Sequence, residues 1–282
     1  MSTLEQTTAV EIKETRISLS EAGKGESVFF LHGNPGSRKD FSVLLDSFAG
    51  DKYRFTLPDR PGHMSSEELI NDTNDPWLDS ELFAELIDSK CNGKTVLVGY
   101  SLGSFIACKI ALRHPEKVRG IVMLAPFVMP QDLNEKPSSL PNMARGAIIG
   151  TVLGIVLPLL SQTKMQQHLE RVFAPGTLDE DYLETWLPRF TRFETLMAMI
   201  TDKNAMLQSI KEVHERLPEI KCPVHVLIGD GDKVCSPDQQ VTLLSEKLPD
   251  VKISRLADAG HALNITHAGD CLKAIDDLFA RL

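Results

Sequence analysis

The chain has 282 residues, 42% of them hydrophobic, enough to bury one large α/β domain with room for an insertion. Its formal net charge of −9 has no basic cluster to offset it, which speaks against nucleic-acid binding, because neutralising phosphates needs concentrated Lys and Arg. The five cysteines (Cys91, Cys108, Cys222, Cys235, Cys271) are odd in number and lack a C-x-x-C pair, so they read as reduced core thiols of a cytoplasmic protein.

In chain order, residues 1–9 are polar and lack the basic-then-apolar sequence of a signal peptide. Residues 10–20 alternate and predict an opening strand or hairpin before a turn at 23–25. A short, nearly continuous apolar strand at 27–31 runs into H-G-N-P-G-S, beginning at His32. A helix is expected at 41–48, then a strand at 54–57 that runs into P-D-R-P-G-H from Pro58, then a helix at 77–89. Strands at 95–98 and 118–124 follow, separated by a helix at 105–112. Buried strands alternating with helices argue a mostly parallel, helix-covered sheet. From about Pro126 to Pro218 the pattern offers helices and no strand. Strands return at 224–228 and 251–256, with a helix at 237–248 between them and a closing helix at 267–282. The predicted organisation is therefore an α/β core, residues 1–126 and 219–282, interrupted by a helical cap, residues 127–218.

The densest signal is at residues 96–104, V-L-V-G-Y-S-L-G-S. A strand, G-x-S-x-G and a helix in that order is the context of a nucleophile elbow. The turn must be tight and strained, which is why small residues belong two before and two after the serine. Ser101 would then project its hydroxyl at the sheet edge, with the Leu102 amide at a helix N-terminus able to face a developing oxyanion.

H-G-N-P-G, D-R-P-G-H, G-Y-S-L-G, a late G-D-G-D and a final A-G-H, each following a predicted strand, resemble the α/β-hydrolase superfamily in its serine-nucleophile branch. The resemblance runs from about Ser27 to the C-terminus apart from the cap, and it implies the α/β-hydrolase fold. It also implies three roles: Ser101 as nucleophile, Asp232 as acid and His261 as base. The family's acid usually stands three residues after the glycine that ends its strand, which selects Asp232 over Asp230, a turn residue in this reading, and over the more distant Asp132. The backbone N–H groups of Asn34 and Leu102 are implied as the oxyanion hole. His32 and His267 read as structural, and Asp59 and Arg60 as an internal salt bridge or turn anchors.

The H-G-N-P stretch is also similar to haloalkane dehalogenases, but those, like epoxide hydrolases, need an aspartate where Ser101 stands. A serine displacing halide would leave an ether with no carbonyl for water to attack. Serine, histidine and aspartate instead support acyl transfer through an acyl-enzyme. The expected activity is a carboxylesterase-like serine hydrolase of small or medium apolar esters, with no cofactor and no metal. Carbon–carbon bond hydrolysis of diketones, cofactor-independent perhydrolysis, or a small-molecule receptor on the same fold are the alternatives.

Residues 144–160 form the most apolar stretch, with Gly146, Gly150 and Gly154 recurring every fourth residue and Pro158 expected to end or kink the helix. The favoured reading is a cap helix buried against the core, compatible with lining an acyl pocket. Docking on lipid is less favoured because the flanks supply few cations, and no apolar run reaches the roughly 20 residues of a membrane span. Further cap helices are expected at 163–173, 178–187, 190–200 and 205–217, with no cationic cluster that would single out a strongly anionic substrate.

Overall fold

A computed structural model describes residues 7–48, 50–66, 75–91, 93–130 and 134–282. The opening hairpin is β1 (Thr7–Ile12) and β2 (Thr15–Gly23), paired antiparallel. The next strands are β3 (Glu26–Leu31), β4 (Tyr53–Pro58), β5 (Thr95–Tyr100), β6 (Val118–Leu124), β7 (Val224–Gly229) and β8 (Val251–Leu256). They form one eight-stranded sheet in the order β1-β2-β4-β3-β5-β6-β7-β8, parallel from β4 onward.

The near-continuous apolar runs follow from helices covering both faces. In β3, Phe29 and Leu31 belong to one core cluster while Val28 and Phe30 belong to the other, because successive side chains point to opposite faces. Five core helices flank the two faces: α1 (Ser42–Asp46), α2 (Leu78–Lys90), α3 (Leu102–Arg113) and, in the C-terminal part, the helices Pro237–Lys247 and Ala268–Phe279.

Between β6 and β7 the chain forms α4 (Leu140–Ala144), α5 (Ala147–Phe173), α6 (Glu180–Phe190) and α7 (Phe193–Arg216). The C-terminal helices are then α8 (Pro237–Lys247), the short α9 (Leu263–Thr266) and α10 (Ala268–Phe279). Met165, Leu169, Phe190, Leu196 and Met197 give the inserted helices a small core of their own.

The insertion departs from the sequence reading in three ways. The expected helices at 144–160 and 163–173 are one 27-residue helix, α5, with Pro158 inside it, and 190–200 and 205–217 merge into α7. The apolar stretch is not buried. Ile148 is 82% exposed, Ile155 64%, Leu159 68% and Leu160 69%. Finally, its glycines face inward: a Cβ on Gly150 would stand 2.2 Å from the Ala144 carbonyl oxygen of α4, and one on Gly154 would touch the Phe193 ring of α7. The small-residue stripe thus seats the helix on its neighbours and turns the branched side chains outward. By length and composition α5 is long and apolar enough to cross a membrane, a property the interrupted run of letters did not reveal.

Candidate active site

Ser101 sits between β5 and α3 with φ +52° and ψ −121°, a conformation that side chains rarely adopt. The elbow leaves no room at its flanking glycines. A Cβ on Gly99 would lie 2.6 Å from the Gly103 carbonyl, and one on Gly103 only 2.0 Å from the Leu31 carbonyl oxygen of β3. The G-x-S-x-G spacing therefore has a packing cause as well as a conformational one.

The elbow aims Ser101 at the loop after β8. Ser101 Oγ lies 3.0 Å from His261 Nε2, and His261 Nδ1 lies 2.7 Å from Asp232 Oδ2. The other oxygen of Asp232, after β7, accepts from the Val234 and Cys235 amides at 2.7 and 2.9 Å. All three side chains are buried. With Nδ1–H donating to the carboxylate, Nε2 is left bare and can take the serine proton. Asp230 points away and pairs with Arg255, while Asp132 lies outside the described residues. His267 precedes α10 and hydrogen-bonds Thr266.

The loop after β3 packs on the same serine: a Cβ on Gly33 would come within 3.1 Å of Ser101 Cβ, which brings the Asn34 backbone alongside. His32 holds that loop. Its Nδ1–H donates to the Gly33 carbonyl at 2.9 Å and its Nε2 accepts from the Arg60 amide at 2.8 Å. Burial and the neighbouring Arg60 charge keep His32 well below the usual imidazole range, so it stays neutral. Asp59 and Arg60 do form ion pairs, but with distant partners: Asp59 with Arg38, and Arg60 with Asp202 of α7 at 2.8 Å. Arg60 also donates to the Gly33 carbonyl at 2.7 Å, and the Asn34 side chain donates to Met199 O of α7 at 2.9 Å. The inserted helices are thus tied to the loop beside Ser101 at two points.

Ser101 and His261 lie on the wall of a cavity of about 640 Å³, with Asn34, Leu102 and Asp40 also lining it. Met165, His168 and Val172 of α5, Tyr182 of α6, and Met199 and Ile200 of α7 contribute to the remaining lining. The residues 147–157 do not line it; the lining part of α5 starts at Ser161. Lys136, Lys164, Arg171 and Lys203 converge on the same cavity from three segments, a cationic gathering invisible in sequence.

Two further groups were missed. Burial pushes the Asp40 carboxyl up to about 7, against a hydrogen bond from the Ser37 amide. The S-x-x-D spacing of Ser37 and Asp40 is a local cue to their reciprocal cap, which the structure contains, but nothing local places Asp40 on the cavity. Burial, helped by His261 and Arg171, brings His168 down to about 4, so it lines the cavity as a neutral imidazole.

Among the described residues one group could be considered for a metal, Asp232, Cys235 and His261, whose donor atoms lie within 4.8 Å of one another. Both ring nitrogens of His261 are already engaged, and burial with the Asp232 charge holds the Cys235 thiol well above its usual range. A protonated thiol beside an occupied imidazole is a poor ligand set.

Comparison with known proteins identifies the fold and the family. The family model described as alpha/beta hydrolase fold matches residues 26–268. The chain is 26% identical over 257 residues to the 2-hydroxy-6-oxo-6-phenylhexa-2,4-dienoate hydrolase of Burkholderia cepacia, covering 90% of this chain and 87% of that one. It is 24% identical over 276 residues to the pimeloyl-[acyl-carrier protein] methyl ester esterase of Aeromonas hydrophila subsp. hydrophila, covering 92% and 98%. In structure it is similar to Cfl2 wild-type from Burkholderia cenocepacia, with a TM-score of 0.79 at 20% identity over 97% of this chain and 95% of the other. Sheet order, elbow and family match lead to one conclusion: the chain belongs to the α/β-hydrolase superfamily.

Proposed function

We propose that this chain is a serine hydrolase that cleaves an apolar carboxylic ester through an acyl-enzyme. The observation that carries the reading is the hydrogen-bonded series Ser101, His261, Asp232 on the wall of a cavity. Ser101 Oγ attacks the ester carbonyl while His261 Nε2 takes its proton, and Asp232 stabilises the imidazolium. The N–H groups of Leu102 and Asn34 donate to the oxyanion, each worth on the order of 10²-fold or more in rate. His261 returns the proton to the departing alkoxide. A water, deprotonated by the same imidazole, then attacks the acyl carbonyl; the acyl–Oγ bond breaks, the imidazolium returns the proton to Ser101 Oγ, and the carboxylic acid departs.

In this reading residues 127–218 act as a cap over a core of residues 1–126 and 219–282. Met165, Leu169, Val172 and Phe190 supply apolar walls that suit a medium acyl chain. All five cysteines are free, which supports a cytoplasmic enzyme. The similarity to a methyl ester esterase supports ester chemistry.

The test is p-nitrophenyl butyrate hydrolysis: a burst followed by steady turnover is expected, and Ser101→Ala should abolish both. A burst without turnover would indicate a receptor instead. Steady turnover by folded Ser101→Ala would remove the nucleophile assignment. The dienoate hydrolase relative favours a second reading, carbon–carbon cleavage by the same residues. Parallel assays on a vinylogous diketone and a matched ester decide between the two by the larger kcat/KM.

A further inference from the structure

We propose that the outward face of α5 docks on an anionic phospholipid bilayer, with the cavity mouth turned toward the lipid. Seven of the ten exposed large hydrophobic side chains of the described residues lie between Ile148 and Leu160. Ile148, Val152, Ile155 and Leu159 follow one another at helical spacing and form a single seam along the outside of the helix. A helix serving only the fold would turn that seam inward. Here the inward face is taken by the glycines, packed on Ala144 and near Phe193. A contiguous apolar face left in water marks an interaction surface.

The chemistry of the face selects lipid. No ionisable side chain occurs between Arg145 and Lys164, so this part of α5 can enter the acyl boundary without desolvating a charge. The helix cannot cross a bilayer in this fold, since its last turns are anchored by the buried Met165, Leu169 and Phe173. It would lie along the surface. The cavity's lining includes the exposed Lys136, Lys164, Arg171 and Lys203, which mark its solvent side, and the exposed Glu135, which is paired with Lys203. In a chain of net charge −9, cations gathered at this edge present it to an anionic surface.

Continuity with the cavity adds a third argument. The seam ends at Leu160, and the next residues of the same helix, Ser161, Lys164, Met165 and His168, line the cavity. A bilayer against the seam would therefore meet the cavity mouth, and an acyl chain could pass from lipid to Ser101 without crossing water. A close helix pair between two copies through the glycine stripe is not available, because that stripe is already covered by α4 and α7.

The test is flotation of the full chain with vesicles of phosphatidylcholine containing about one-third phosphatidylserine; it needs no turnover, so its outcome is independent of the serine-hydrolase reading. The wild type should float with the vesicles, and severalfold less with phosphatidylcholine alone. Ile155→Glu combined with Leu159→Glu should lower the bound fraction at least tenfold with an unchanged thermal midpoint. Ile148→Glu alone, at the most exposed position of the seam, should lower it in part. The proposal is overturned if the wild type stays with the soluble fraction, or if the folded double variant floats like the wild type. It is equally overturned if the wild type is a dimer that the double variant converts to monomer, which would make the face an interface between copies. Equal binding to neutral and anionic vesicles would overturn the anionic assignment.

Discussion

Arg60 Nη1 lies 2.8 Å from Asp202 Oδ2 across 142 residues of chain, joining the loop after β4 to α7. The same guanidinium reaches the Gly33 carbonyl, so one side chain connects the inserted helices to the backbone beside Ser101. Burial pushes the Asp202 carboxyl up, but Arg60 and His63 outweigh it and hold it below the usual carboxylate range. Asp202 is thereby a positioning residue: it fixes Arg60, and Arg60 fixes the loop.

Asp202→Asn keeps the shape and removes the charge, leaving a buried guanidinium unpaired. A broken buried pair costs about 3–5 kcal/mol, and partial water access to Asp202 brings the expected loss nearer about 2 kcal/mol, measured by urea unfolding. Since Asp202 has a lowered folded pKa, its contribution is complete at neutral pH, so the gap between variant and wild type should begin to close only below about pH 4 and vanish below the folded pKa. The kinetic readout separates positioning from plain stability: kcat should fall about tenfold with KM nearly unchanged. An unaltered kcat in the folded variant would reduce Asp202 to a structural pair.

Asp232→Asn should lower kcat by about 10⁴, because His261 would then present the wrong tautomer to Ser101. Asp230→Asn disrupts an exposed ion pair with Arg255 and should leave kcat within about twofold of the parent. Comparable losses in the two variants would contradict the hydrogen-bond geometry.

What the sequence made legible shares one property: the information is local. The strands at 118–124 and 251–256 have the bounds their apolar runs suggested, and the elbow is read from five adjacent residues. Asp232 and His261 follow strand ends, at the positions where the family resemblance implies an acid and a base. Asp202 carries no local mark, because its partners Arg60 and His63 lie 142 and 139 residues away in the chain, in the segment after β4. The face of α5 was misjudged for a different reason. A 3.6-residue period identifies an apolar stripe but not what lies against it, and here the glycine stripe took the inward position.

Asp40 gives a pH signature opposite to that of Asp202. Burial raises its carboxyl to about 7, whereas in the unfolded chain it titrates near about 4. Between those values the unfolded chain has released a proton that the folded chain retains, so stability falls as pH rises through the window and levels off above it. Asp40→Asn mimics the protonated form and should remove this component. The Tm of the variant minus that of the wild type should therefore grow from pH 4 to pH 8. A difference that stays constant across the range would mean Asp40 is ionised throughout.

The turn at Ser101 stores backbone strain. Ser101 is held at φ +52° by bonds on both sides: its amide donates to the Leu124 carbonyl at 2.9 Å, and its carbonyl accepts from the Phe127 amide at 3.1 Å. Such over-determination lets a side chain persist in a conformation costing about 1–3 kcal/mol. Ser101→Ala and Ser101→Gly both remove the hydroxyl, so neither should turn over ester, but they differ in the Cβ that the backbone must accommodate. Glycine relieves that strain and gives back about 0.5–1 kcal/mol through the greater freedom of its unfolded chain. Ser101→Gly should thus be more stable than Ser101→Ala by about 1 kcal/mol in urea unfolding, despite the usual ranking of the two residues at a helix start. If the alanine variant proves equally or more stable, the backbone at Ser101 is not strained, and the packing of Gly99 on Gly103 alone accounts for the motif.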